Sequence, residues 1–184
     1  SDLTNSIKKS DISAIDKASA EILNTVKKKN TIYVCGNGGS AAISNHYICD
    51  YLKLLRTNTN LKPKIISLVD NIETITAISN DMDFSEIFKF QAESLCEKGD
   101  LILIISSSGN SKNVLKLAQW AKVKKIDVVS FTGFDGGKIK KLSKYNITVQ
   151  ENNYGRVEDA HHILMHIIMH HLSIKYRNSK TVRL

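Results

Sequence analysis

Residues 33–53 read YVCGNGGSAAISNHYICDYLK. Tyr33, Val34 and Cys35 close an apolar, β-rich run that begins at Thr31, and Gly36, Gly38 and Gly39 follow before a helical pattern takes over near Ser40. A strand that passes through a glycine cluster straight into a helix is the opening unit of a parallel α/β sheet. The glycines let the backbone turn and approach a ligand, and Ser40 stands where it can cap the helix. His46 and Asp50, four residues apart, share one face of that helix immediately behind the loop.

The same grammar repeats along the chain. Strand-like runs lie at 31–35, 64–68, 100–106, 127–131 and 146–149, with helical windows near 40–55, 84–97, 111–124 and 136–144 between them. A long helix is expected over 8–29 in front and another over 156–176 behind. Strands apolar on both faces, alternating with helices, predict a doubly wound, Rossmann-like parallel sheet covered on both sides. At 184 residues the chain suits one domain: an N-terminal helical segment (1–30), an α/β core (31–150) and a C-terminal helix (151–184). No internal repeat, low-complexity stretch or linker interrupts it, and the single proline, Pro63, simply precedes a strand.

Composition narrows the function classes. Cys35, Cys49 and Cys96 are odd in number and unclustered, so they read as small buried hydrophobes of a reducing compartment, the cytoplasm. There is no leader pattern and no apolar run near the roughly 18 residues of a membrane span, so an unexported chain without a membrane partner is expected. The formal net charge is +8, but its lysines fall in small groups (IKKS, VKKKN, KVKK, KIKKLSK) without aromatic interleaving. That pattern describes a solvated surface rather than a nucleic-acid partner.

In such a sheet, ligands bind beyond the carboxyl ends of the strands. Two loops qualify: CGNGGS (35–40) and SSSGNS (106–111), each directly between a strand and a helix. Serine hydroxyls, free N–H groups and a positive helix end together form an anion cradle, and a plain tight turn has no need of four serines. GNGGSA would satisfy a dinucleotide fingerprint with Ala41 in the last place and Asp70 as the ribose acid, whereas a nucleotide P-loop is excluded because no Gly-Lys-Ser/Thr follows. The closing stretch RVEDAHHILMHIIMHHL (156–172) sets Glu158, His162 and His166 at four-residue steps, with His161, His170 and His171 beside them. Five histidines in eleven residues exceed what packing explains, although His161 and His162 read individually as packing or supporting groups.

Taken together, GNGGSAA (36–42), SND (79–81), SSSGNSKNVL (106–115), FTGFDGGKI (131–139) and the histidine-rich final helix resemble the sugar isomerase (SIS) domain family, and within it the phosphoheptose isomerases, over nearly the whole chain. The resemblance implies a five-stranded parallel sheet flanked by helices, in a homotetramer with sites between subunits. It implies a sugar-phosphate substrate, a divalent metal, usually zinc, and aldose–ketose isomerisation through an enediol on the way to surface heptose in lipopolysaccharide or capsule.

By the same resemblance Ser106, Ser107, Ser108, Asn110 and Ser111 hold the phosphate, while Asn37, Gly38, Ser40, Asp81 and Glu158 meet the sugar. His46, Asp50, Glu158 and His166 would hold the metal. Asp50 is the expected base and His166 its acid partner, with Glu158 as the alternative base. Four positions depart from the family pattern: Asp50 stands for glutamate, Glu158 for glutamine, Gly155 for aspartate, and Leu54 near an arginine. They point to a related subgroup, with sedoheptulose 7-phosphate or a related ketose phosphate as the expected substrate. A phosphosugar-binding regulator or a replication-initiation adaptor on the same fold, and a nicotinamide enzyme, are the rival classes.

Overall fold

The protein was analysed as a computed structural model that describes residues 2–177. Five strands, β1 (Thr31–Gly36), β2 (Lys64–Ser67), β3 (Leu101–Ser106), β4 (Asp127–Thr132) and β5 (Tyr145–Thr148), form one sheet in the order β2-β1-β3-β4-β5. Every pairing is parallel, and each strand lies within one residue of its expected place. The run LILIIS of β3 is buried at every position, as a central strand covered on both faces must be.

Alternation along β3 sorts the core into two layers. Leu101, Leu103 and Ile105 pack with Ala18 and Ile22 of α2 (Ile12–Lys27), Ile43 and Tyr47 of α3 (Gly39–Cys49), and Leu164, Met165 and Ile168 of α8 (Tyr154–Lys175). Ile102 and Ile104 face the other way, onto Phe88 and Ala92 of α6 (Ile87–Leu95) and Val114, Leu117, Ala118 and Ala121 of α7 (Lys112–Lys124). From β1 the chain moves outward to β2, then returns to place β3 on the other side of β1. The switch in winding therefore falls between β1 and β3, and it brings the glycine loop beside the serine loop.

Several helical expectations change. The helix expected over 8–29 starts later, as α2, because Asp11 leaves the helical conformation and its carboxylate accepts a hydrogen bond from the Ala14 amide, and a further helix, α1 (Asp2–Lys8), precedes it. Asp50–Leu55 continues α3 as a π-helical segment that ends in the single turn α4 (Arg56–Asn58). A helix that the sequence did not announce, α5 (Ile72–Asp81), starts at the Asn71 cap; its β-branched run Ile72, Thr74, Ile75, Thr76 and Ile78 has poor intrinsic helix propensity. The 136–144 window shortens to a 3₁₀ turn, Lys138–Lys141, since Gly136 and Gly137 both hold positive φ. The final helix ends at Lys175, and residues 178–184 of the expected C-terminal segment lie outside the described ones.

Cys35 is buried as expected, but Cys49 is exposed: α3 buries the face of Ile43, Ser44 and Tyr47, and a residue two beyond Tyr47 points away from it. No described helix is long and apolar enough to cross a membrane.

One histidine belongs to the core. His161 is fully buried against Phe131, and among the described residues neither ring nitrogen makes a well-aligned hydrogen bond. Burial pushes its pKa from 6.5 down to about 4, with the Thr132 backbone opposing. The unfolded chain takes up this proton near pH 6.5 and the folded chain does not, so stability drops as pH falls from 6.5 toward 4, by up to about 3 kcal/mol at about 1.4 kcal/mol per unit. Above that window the effect vanishes. Urea midpoints of the parent should therefore separate between pH 7 and pH 5 more than those of His161→Leu; equal separation would rule out this origin.

Candidate active site

The glycine loop is shaped by close approach. A Cβ on Gly36 would come within 2.7 Å of the Ile105 carbonyl oxygen on β3 and of Ser40, so only glycine lets the end of β1 lie this near its neighbour. Gly38, at φ 55°, is the N-cap of α3 and supplies the left-handed turn into it. Between them Asn37 reaches across to Asn113 on α7. Its amide donates to Asn113 Oδ1 at 2.9 Å, and the Asn113 amide donates to Asn37 Oδ1 at 2.8 Å.

The serine loop braces itself. Ser106 Oγ accepts from the Gly109 amide and Ser108 Oγ from the Asn110 amide, each at 3.2 Å. Asn110 donates to the Ser108 carbonyl and accepts from the Lys138 amide, tying the loop to the segment after β4. Two hydroxyls are left for a ligand: Ser107 Oγ is buried without a partner, and Ser111, the N-cap of α7, makes no side-chain bond to its helix. The α7 N-terminus thus keeps its positive end open.

Asn37, Ser40, Ser106, Ser107, Ser108, Ser111, Tyr154 and Glu158 line a pocket of about 150 Å³ beside these loops. Of the expected substrate residues, Gly38 serves as the turn and Asn110 as the brace. Asp81 is exposed at the end of α5, accepts a hydrogen bond from the Asn80 amide, and lies outside this pocket. Asn113 and Tyr154 were not anticipated. Asn113 lies within the stretch SSSGNSKNVL without an assigned role there, and its buried position opposite Asn37 shows its use; Tyr154 stacks at a tilt on Phe134 with centroids 4.9 Å apart.

Further along the groove between α3 and α8, His46, Asp50 and His166 converge. His46 Nε2 lies 3.2 Å from His166 Nε2, His166 Nε2 lies 3.2 Å from Asp50 Oδ2, and His46 Nε2 lies 3.7 Å from Asp50 Oδ1. Asp50 Oδ2 is buried, yet His166 is not aligned to hydrogen-bond it. Bonds of about 2.0–2.1 Å at tetrahedral angles set neighbouring ligand atoms roughly 3.3 Å apart, so the three spacings and the donor chemistry suit a zinc-like ion. Asp50 stands where the α-helix gives way to π-helix, a distortion common at functional sites. His162 stacks on His166 at 5.4 Å and sits edge-on to His46 at 4.9 Å; burial first, then those two rings, lower its pKa.

Glu158, expected among the metal ligands, is not part of this three-donor group. It is eight residues, about 12 Å of helix, from His166, so the two side chains must lean together to share one ion. Glu158 instead leans toward α3, where a Cβ on Gly39 would collide with its carboxylate, and it joins the serine-lined pocket.

The reciprocal amide pair invites a test. Asn113→Ala removes two part-buried hydrogen bonds and strands Asn37, at a cost of about 1–3 kcal/mol in urea unfolding. Binding of inorganic phosphate, followed by titration calorimetry, should weaken with it. Unchanged stability and affinity would show that the pair does not hold the two loops.

The SIS domain family model matches residues 1–133. Over 155 residues, 84% of this chain and 79% of the relative, the sequence is 37% identical to the phosphoheptose isomerase of Helicobacter hepaticus. Among solved structures, a phosphoheptose isomerase from Neisseria gonorrhoeae superimposes with a TM-score of 0.79 at 29% identity, covering 88% of this chain and 86% of that one. One from Francisella tularensis gives 0.80 at 26% identity, covering 89% and 86%. With the switch-point loops, the serine-lined pocket and the three-donor cluster in place, these similarities show that the chain belongs to the SIS domain family and, within it, to the phosphoheptose isomerases.

Proposed function

We propose that the protein is a metal-dependent aldose–ketose isomerase of sedoheptulose 7-phosphate or a related ketose phosphate, feeding heptose into lipopolysaccharide or capsule. The observation that carries this reading is the arrangement of one groove between α3 and α8. An anion pocket lies at one end of it, and the His46–Asp50–His166 cluster lies two helical turns further on. That separation suits a phosphorylated chain of several carbons with its phosphate at one end and its carbonyl at the other. A regulator or adaptor that only binds its ligand has no use for the three-donor cluster.

In this reading the Ser107 and Ser111 hydroxyls and the α7 N-terminus take the phosphate, with Ser106 and Ser108 holding the loop in shape. Asn37 and Ser40 face the sugar. His46, Asp50 and His166 hold the ion, which when bound polarises the substrate carbonyl as a Lewis acid. A carboxylate removes the proton alpha to that carbonyl, and His166 serves the carbonyl oxygen as the acid. Each proton-transfer group is worth roughly 10² to 10⁴ in rate. Three unpaired cysteines, Cys35, Cys49 and Cys96, agree with a reducing cytoplasm. A homotetramer is supported by the apolar cleft of about 360 Å³ between α1, α2 and α8, and by Ile12, Ile167 and Ile174 exposed at 71%, 45% and 69%.

Incubating zinc-loaded protein with a panel of ketose phosphates, and following the aldose by NMR, tests the activity directly; no turnover of any member would refute it. His166→Ala should lose both bound metal and turnover. His170→Ala, an exposed position on the same helix, should keep most of each, and equal loss in both would deny His166 its special role. Light scattering at micromolar concentration should report a tetramer, and a clean monomer would remove the shared-site arrangement.

A further inference from the structure

The serine-lined pocket has no lysine, arginine or histidine in its wall, and Glu158 adds a carboxylate to it. A phosphate held there depends on neutral donors, so each free hydroxyl counts. Ser107 and Ser111 supply two. A further one belongs to Tyr154, the first residue of α8, which also lines the pocket and whose hydroxyl has no hydrogen-bond partner among the described residues. Several contacts put Tyr154 there. Gly133, just after β4, lets α8 come down on the serine loop: a Cβ on it would stand 2.6 Å from Val157 and 3.1 Å from the Ser107 carbonyl oxygen, which accepts the Gly133 amide at 2.8 Å. Next to it Phe134 takes φ 53°, a left-handed conformation that is costly for a bulky residue, and its amide donates to the Glu151 carbonyl at 3.1 Å. In that conformation the Phe134 ring lies against Tyr154 with centroids 4.9 Å apart. Glu151 steadies the start of α8, its carboxylate accepting from the Asn152 amide, the Asn153 amide and the Arg156 guanidinium at 2.8, 3.1 and 3.1 Å. Tyr154 is 59% exposed, so the core has no need of its ring or of the strain that supports it.

We infer that the Tyr154 hydroxyl is a further phosphate-binding group of this site and that Phe134 is its positioning residue; the inference rests on the reading of the serine pocket as a phosphate cradle. The first turns of two helices then meet on one anion by different means. At α7 the cap residue Ser111 leaves the helix amides open toward the ligand. At α8 the Asn153 side chain accepts from the Arg156 amide at 3.1 Å and caps the turn, so this helix presents a phenol instead. A phenol is a stronger donor than an aliphatic hydroxyl, and hydrogen bonds to an ionised acceptor are the strong ones. In a pocket walled by neutral donors and one carboxylate, that donor offsets part of the charge that no cationic side chain is there to meet.

Titration calorimetry with inorganic phosphate, run on Tyr154→Phe, Phe134→Leu, their combination and Ser107→Ala, decides the matter. Tyr154→Phe keeps the ring and the fold and should raise the dissociation constant about tenfold, the scale of one hydrogen bond to a charged group. Phe134→Leu keeps the backbone and removes the ring. It should weaken phosphate binding in the parent yet add nothing in the Tyr154→Phe protein, a coupling that a general loosening of the loop would not give. A change below about threefold in Tyr154→Phe, with phosphate still weakened by Ser107→Ala, would overturn the inference and leave the cradle standing. Equal weakening by Phe134→Leu in both backgrounds would overturn the part given to Phe134. A parent that binds no phosphate, or binds it unchanged in Ser107→Ala, would overturn the phosphate reading of the pocket and this inference with it.

Discussion

Two amides hold the site together. Asn37 on the loop after β1 and Asn113 on the first turn of α7 exchange both of their hydrogen bonds, and Asn113 is 1% exposed. A reciprocal pair of side-chain amides fixes the distance between the two segments that carry them, because losing one partner leaves the other's hydrogen bonds unmade. The clasp works only because Gly36 lets β1 approach β3 and because the sheet places those strands side by side. Glycine loop, serine loop and the open N-terminus of α7 all take their positions from it.

The second organising contact is the packing of α8 across α3. Twenty-two residues long, α8 buries Val157, Ala160, His161, Leu164, Met165, Ile168, Met169 and Leu172, so its own core face anchors it to the sheet. The adjacent face carries Glu158, His162 and His166 along the groove. On the other wall α3 offers Gly39, Ser40, His46 and Asp50 in the same direction. Tyr47 and Tyr51, fully buried and stacked with centroids 4.6 Å apart, join hydroxyls at 2.9 Å beneath the point where the helix changes to π winding. A satisfied pair of phenols is a firm footing for Asp50 between them in sequence.

Polar chemistry is thereby concentrated at the carboxyl ends of the strands, and the opposite end is closed by ordinary charge pairing. Lys144 meets Glu21 and Asp127 at 2.7 Å each, joining β4 and the start of β5 to α2. Such exposed pairs add little to stability. They show instead where part of the positive charge lies, away from the pocket, in keeping with a scattered rather than a concentrated basic surface.

The sequence by itself determined the sheet and the loops. An all-apolar run such as LILIIS has only one place to go, the middle of a doubly covered sheet, and glycine and serine clusters after such runs must become the loops at its ligand-binding end. The i, i+4 spacing of His46 and Asp50 likewise settles that they share a face, since helix geometry is local. Spacing does not say what stands opposite that face. Glu158, His162 and His166 share one period in the sequence, yet only the packing of α8 on α3 sends Glu158 to the pocket and His166 to the cluster. The pairing of Asn113 with Asn37 and the solvent-facing Cys49 were hidden for the same reason, because what lies opposite a residue across the fold leaves no mark in the local pattern. The start of α2 was hidden differently: the helical pattern extends back to residue 8, and one aspartate, Asp11, caps the helix rather than continuing it.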